Sequence, residues 1–254
     1  MHRFRSNFYR LCQLGGRFTF LCTMNLRIIR PHLMERQGPY VLAVSHLSHI
    51  EPFVIATAMK RPVDFIARIE FYKYRILAWM LRHLNAIKVN RQGVVANTVR
   101  TALDRLRVGR VVGIFPEGGV CRGEASVCLG GPIKLGVALI ACRAGVPIVP
   151  CVMVGTHELN CVKPWLPFKR AHIWMAMGEP IAPLDLGVTR QSRKDACAEL
   201  GRQLQASMMS LYQELCDTYN LEAMAGETYA EPATASLPAH TNRACPQSTT
   251  QSAA

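Results

Sequence analysis

A chain of 254 residues, half of them apolar, is long enough for one large α/β domain with a full core rather than two small ones. Its 30 lysines and arginines against 17 acids leave a net charge of +13, which points to an acidic partner: phospholipid, nucleic acid or an acidic carrier protein. The 10 cysteines are scattered, without a C-x-x-C pair or a Cys/His cluster at metal-ligand spacing, which argues against a disulfide scaffold and for a reduced cytoplasmic protein with no metal site.

Residues 1–36 hold seven arginines and a single acid, Glu35. Between the arginines lie Phe4, Phe8, Tyr9, Leu11, Phe18, Leu21 and further apolar residues, but no apolar window is long enough to cross a bilayer. The segment reads as a basic amphipathic helix lying in the membrane interface; packing on the domain is the other reading, and the two can coexist. Val41–Val44 is a short buried strand that delivers His46 into a turn. Glu51 follows five residues later, and Pro52 favours a helix from near Glu51 towards Met59. His46 and Glu51 cannot share one helix face, but they meet if the chain turns between them, and the carboxylate then fixes the imidazole tautomer. A structural histidine at a strand end is the plainer reading of the same residues. Ser48-x-x-Glu51 also fits a capping box, although that would set Pro52 at the fourth helical position, where an N–H is wanted.

A strand over Val63–Arg68 precedes a helical stretch from about Phe71 to Leu84 that has no clean polar face, and then an extended Ala86–Arg91. Between Lys60 and Arg110 stand twelve basic residues and three acids. An amphipathic helix over 93–109 leads to a strand over 111–115 and an acidic, glycine-rich turn, Pro116-Glu117-Gly118-Gly119. Gly130-Gly131-Pro132 opens a helix that runs through Ala144 and stops at Gly145. A strand over 147–154 carries V-P-I-V-P, and another lies near His172–Met177. A long amphipathic helix covers 191–219. The end of the chain is rich in Ala, Thr, Ser and Pro and reads as disordered. The domain limits are therefore 1–36, 37–222 and 223–254.

The order H-x4-E, then F-P-E-G-G, then V-P-I-V-P resembles the glycerolipid acyltransferase family, which includes the 1-acylglycerol-3-phosphate acyltransferases. That family carries N-H-x4-D, a basic block ending in arginine, F-P-E-G-T-R-S and V-P-I-V-P in the same order, and the likeness covers about Tyr40 to Ile181. This chain departs from it at Ser45 for asparagine, Glu51 for aspartate, and Gly119-Val120 for threonine and arginine, with Arg122 two positions late. The departures mark a divergent branch and leave the acyl acceptor open.

The resemblance implies a mixed, largely parallel sheet flanked by helices, in the manner of glycerol-3-phosphate acyltransferase. It implies acyl transfer from a thioester to a hydroxyl, with His46 as general base and Glu51 orienting it. A backbone N–H or Arg68 would meet the oxyanion. Arg68, Arg91, Glu117, Gly118, Gly119 and Arg122 would bind substrate, with Glu117 and Gly118 shaping the acyl-acceptor pocket and Arg91 on the phosphate. No metal or redox cofactor is called for; acyl-CoA or an acyl-carrier protein is the co-substrate. The expected partner is a lysophospholipid at the cytoplasmic face of the membrane, where the protein sits as a peripheral or monotopic enzyme. A lyso-aminolipid acceptor and a catalytically silent lipid-binding member of the fold are the alternatives. A nucleic-acid-binding protein is disfavoured, because no such motif accompanies the charge.

Overall fold

The computed structural model describes residues 13–18, 23–89, 96–121, 123–156 and 171–221. The strands are β1 (Met24–Ile29), β2 (Tyr40–Val44), β3 (Val63–Arg68), β4 (Ile87–Val89), β5 (Val111–Ile114), β6 (Ile148–Val154) and β7 (Ala171–Met177). The helices are α1 (Glu51–Ala58), α2 (Arg75–His83), α3 (Ala96–Arg107), α4 (Gly136–Ala144) and α5 (Arg190–Tyr219). The strands form one sheet in the order β1-β7-β6-β2-β5-β3-β4. From β6 through β2, β5 and β3 to β4 every pairing is parallel; β7 runs antiparallel to β6, and β1 is parallel to β7. This is the mixed, largely parallel sheet flanked by helices that the family resemblance implies.

The central strands are apolar throughout because both faces of the sheet are covered. Alternate residues of β2 divide between two cores: Val41 and Ala43 pack under α3, α4 and α5, while Tyr40, Leu42 and Val44 pack with Val54 and Ile55 of α1. The α5 stripe of Leu200, Leu204, Met208, Leu211 and Leu215 recurs every three to four residues and is buried along its length. Each of these leucines contributes about 1.5–3 kcal/mol. Thr189 caps α5 by accepting the Ser192 N–H at 3.0 Å, and Asn220 ends it in the left-handed region.

Three local expectations change. Met24–Ile29 is an edge strand and not part of an interfacial helix, because Met24-Asn25-Leu26-Arg27-Ile28 alternates with the period of a strand. Within the N-terminal segment residues 13–18 are helical and Pro31–Glu35 forms a 3-10 turn; Gln13 and Arg17 donate to carbonyls at the end of α1. Finally, α4 begins at Gly136 and not at Pro132. Gly131 lies so close to Ala125 that a Cβ would meet its carbonyl oxygen at 2.3 Å, and the Lys134 N–H donates to Pro116 O at 2.7 Å, so this stretch is spent on docking to the loop after β5. The tail over 223–254 lies outside the described residues.

Candidate active site

In an open parallel sheet the loops after the strands' C-terminal ends share one edge. Here β2 ends before His46, β3 ends in Arg68, β5 leads to Glu117, and β6 is followed by Gly155 and Thr156.

The turn predicted between His46 and Glu51 is present. Glu51 is the first residue of α1, Pro52 sits in the first turn, and the carboxylate folds back under the loop. His46 Nδ1 lies 2.7 Å from Glu51 Oε2. The other oxygen, Oε1, accepts the N–H groups of Leu47 and Ser48 at 2.8 and 2.9 Å and the Thr156 hydroxyl at 2.9 Å. Glu51 is 0 % exposed, so these four donors replace the water that it loses. The contact to Ser48 is one half of the capping box, and the Ser48 hydroxyl accepts the Ile50 N–H at 3.3 Å. The Ser45 hydroxyl accepts the Met153 N–H at 3.0 Å and so ties the end of β2 to β6.

Glu117 differs from its expected place in the acyl-acceptor site. Its carboxylate is turned inward and is absent from the cavity wall. Oε2 accepts the backbone N–H of His46 at 2.6 Å; Oε1 accepts the Val127 N–H at 3.0 Å and the Ser126 hydroxyl at 3.1 Å. It therefore braces the strand end that carries the imidazole. Burial pushes its carboxyl up to about 7, against the pull of the Val127, His46 and Ser126 donors and with a smaller push from Glu51. The His46 carbonyl in turn accepts the Cys121 N–H at 2.9 Å, so the loop after β5 holds the histidine backbone from both sides.

The His46 ring stacks on Phe115 with centroids 4.0 Å apart, and Phe115 stacks on Phe65 at 5.4 Å. Gly113 makes room for this column: a Cβ there would lie 2.5 Å from the Phe65 ring.

His46, with a side chain 12 % exposed, opens onto a cavity of about 570 Å³. The wall is largely apolar, with Phe53, Phe71, Leu81, Val99, Val137 and Ile140 reaching between the sheet edge, α3 and α4. Arg68, Gly118, Gly119 and Lys134 also line it. Arg68 sits 3.4 Å from Glu70. Arg91 and Arg122 lie outside the described residues. Thr156, Ser126, Phe115 and Lys134 escape the sequence reading; only the place of Thr156, straight after a strand parallel to β2, could have marked it. Among the described residues no cluster of His, Cys, Asp and Glu is arranged to hold a metal.

A buried carboxylate holding a histidine at the mouth of an apolar cavity is suited to proton abstraction beside a long acyl chain. Comparison with known proteins points to acyl transfer. The chain is 21 % identical to the 1-acyl-sn-glycerol-3-phosphate acyltransferase of Bacillus subtilis, over 70 % of this chain and 84 % of that protein. It is 24 % identical to the Escherichia coli protein of the same name, over 79 % and 78 %. Its fold is similar to that of the 1-acyl-sn-glycerophosphate acyltransferase of Thermotoga maritima, with a TM-score of 0.57 and 18 % identity over 81 % of each chain. The family model described as Acyltransferase matches residues 25–154, from β1 to the end of β6, and the chain belongs to that family of acyl-transferring enzymes.

Proposed function

We propose that the protein moves a fatty acyl group from a thioester, acyl-CoA or an acyl-carrier protein, to the hydroxyl of a lysophospholipid of the 1-acylglycerol-3-phosphate type. The observation that carries this reading is the His46–Glu51 pair at 2.7 Å on the wall of a largely apolar cavity. With Nδ1–H donating to Glu51, the imidazole lone pair is on Nε2, which takes the proton of the attacking hydroxyl. Glu51 keeps the tautomer and stabilises the imidazolium that forms. The alkoxide adds to the thioester carbonyl, the tetrahedral intermediate expels the thiolate, and His46 returns the proton to the sulfur. The apolar cavity takes the acyl chain.

Arg68, which lines the cavity, supplies positive charge for the oxyanion or the phosphate. Arg91 keeps the phosphate role implied by its place at the end of the basic block. The enzyme works as a peripheral or monotopic protein on the cytoplasmic face of a phospholipid membrane. Among the described residues no helix is long and apolar enough to cross one.

The test is acyl transfer by purified protein with acyl-CoA or acyl-carrier donors. The acyl-acceptor panel holds lysophosphatidate, other lysophospholipids and lyso-aminolipids; the last are included because Gly119-Val120 departs from the family motif. His46→Ala is expected to lower turnover by about two to four powers of ten. Transfer that survives this substitution, or a wild-type protein that binds lipid without transferring to any acceptor, would sink the proposal.

A further inference from the structure

In the family motif an arginine follows F-P-E-G-T; here Phe115-Pro116-Glu117-Gly118 is followed by Gly119 and Val120. The structure lays a different cation across that loop. The Lys134 N–H donates to Pro116 O at 2.7 Å, which fixes its backbone against the turn. Gly118 adopts φ 75°, and a Cβ there would lie 2.6 Å from Lys134 Cε and 2.8 Å from Cδ, so the lysine stem rests directly on the glycine. Gly119 has open space where a side chain would project.

Lys134 lines the same cavity as His46, and that lining contains no carboxylate. Among the described residues no acid forms an ion pair with the Lys134 ammonium. It stands two residues before α4, whose first turn has no acidic residue and whose N-cap side chain makes no hydrogen bond.

We propose that Lys134 is a phosphate-binding residue of this enzyme, holding the phosphate of a substrate at the cavity mouth in place of the arginine that the F-P-E-G loop lacks. The inference rests on the proposed transfer between phosphate-bearing substrates. Its chemistry is that of an ammonium packed beside a glycine turn. The phosphate can come from the acyl acceptor or from the nucleotide part of the donor, and the test separates them.

Equilibrium binding is measured for wild type, Lys134→Gln and Lys134→Arg with two matched pairs of ligands. One pair is short-chain lysophosphatidate and the corresponding monoacylglycerol; the other is acyl-CoA and the corresponding acyl-pantetheine. Losing one charge-assisted contact weakens the phosphate-bearing ligand by about ten- to a hundredfold. Lys134→Arg recovers most of the loss, and the phosphate-free ligand of each pair changes little. Loss confined to lysophosphatidate assigns the phosphate to the acyl acceptor; loss confined to acyl-CoA assigns it to the donor. Unchanged binding of both phosphate ligands, or equal weakening of their phosphate-free counterparts, overturns the inference. Because Lys134 is exposed, the Gln variant is expected to melt with the wild type, which checks that the fold is intact. Turnover is recorded on the same wild-type sample: its absence would overturn the proposed reaction and leave the binding comparison to judge Lys134.

Discussion

Two buried glutamates hold His46 in different ways. Glu51 grips the ring and meets four donors, so its charge is compensated on the spot. Glu117 grips the backbone and meets three, yet burial still raises its carboxyl to about 7. A carboxyl whose folded value lies above its unfolded value favours folding most below about 4.5, and that contribution is lost as pH rises through 7. The difference corresponds to about 3 kcal/mol. Urea denaturation between pH 4.5 and 8 is therefore expected to show stability falling with pH through this group, and Glu117→Gln is expected to flatten the slope by about that amount. An identical slope in the variant would mean that the buried carboxyl titrates in its ordinary range. His46 and Glu51 were legible as a possible pair because only five positions separate them. The inward turn of Glu117 was not, since its partner His46 lies 71 residues away.

At the level of elements, the site is a set of strand ends held in step. β2 lies between β5 and β6, and all three are parallel, so Ser45, His46, the F-P-E-G loop and Thr156 arrive at one edge. The side-chain column Phe65–Phe115–His46 crosses that edge, and Gly113 in β5 is what lets Phe65 lie flat against its neighbour strand. Gly113→Ala puts a methyl group into the Phe65 ring. It is expected to cost about 1–3 kcal/mol as an overpacked core and to lower turnover by tilting Phe115 under the imidazole. Chemical denaturation and kcat measured on one preparation check both. Loss of stability with kcat unchanged would show that the aromatic column supports the sheet and not the histidine. β1 shows how an element can hide: its alternation was plain, but the arginines around it belong equally to a membrane helix, and only pairing with β7 decides between them.

On the scale of the whole molecule, the charge of +13 sits on a protein with exposed Tyr74 and Trp79 between Lys73, Arg75 and Arg82, close to Phe71 and Leu81 of the cavity wall. Each basic residue near an anionic bilayer adds about 1 kcal/mol, and salt screens it over roughly 10 Å at 0.1 M. Co-sedimentation with anionic vesicles is expected to fall at least about tenfold between 0.05 and 0.5 M salt, with little binding to neutral vesicles at either. Salt-indifferent binding would assign membrane contact to apolar insertion alone. The chain by itself determined the central strands, the long α5 stripe and the His46–Glu51 turn, because each is written in residues a few positions apart, and the acyl-transfer motif order, because it is linear along the chain. Tertiary structure alone decided that Thr156 completes the Glu51 shell across 105 residues, that Glu117 faces inward, that Lys134 crosses the F-P-E-G loop and that a cavity opens beside His46. These contacts follow from the register of parallel strands, and in parallel sheets that register is set by packing on both faces and not by any local turn.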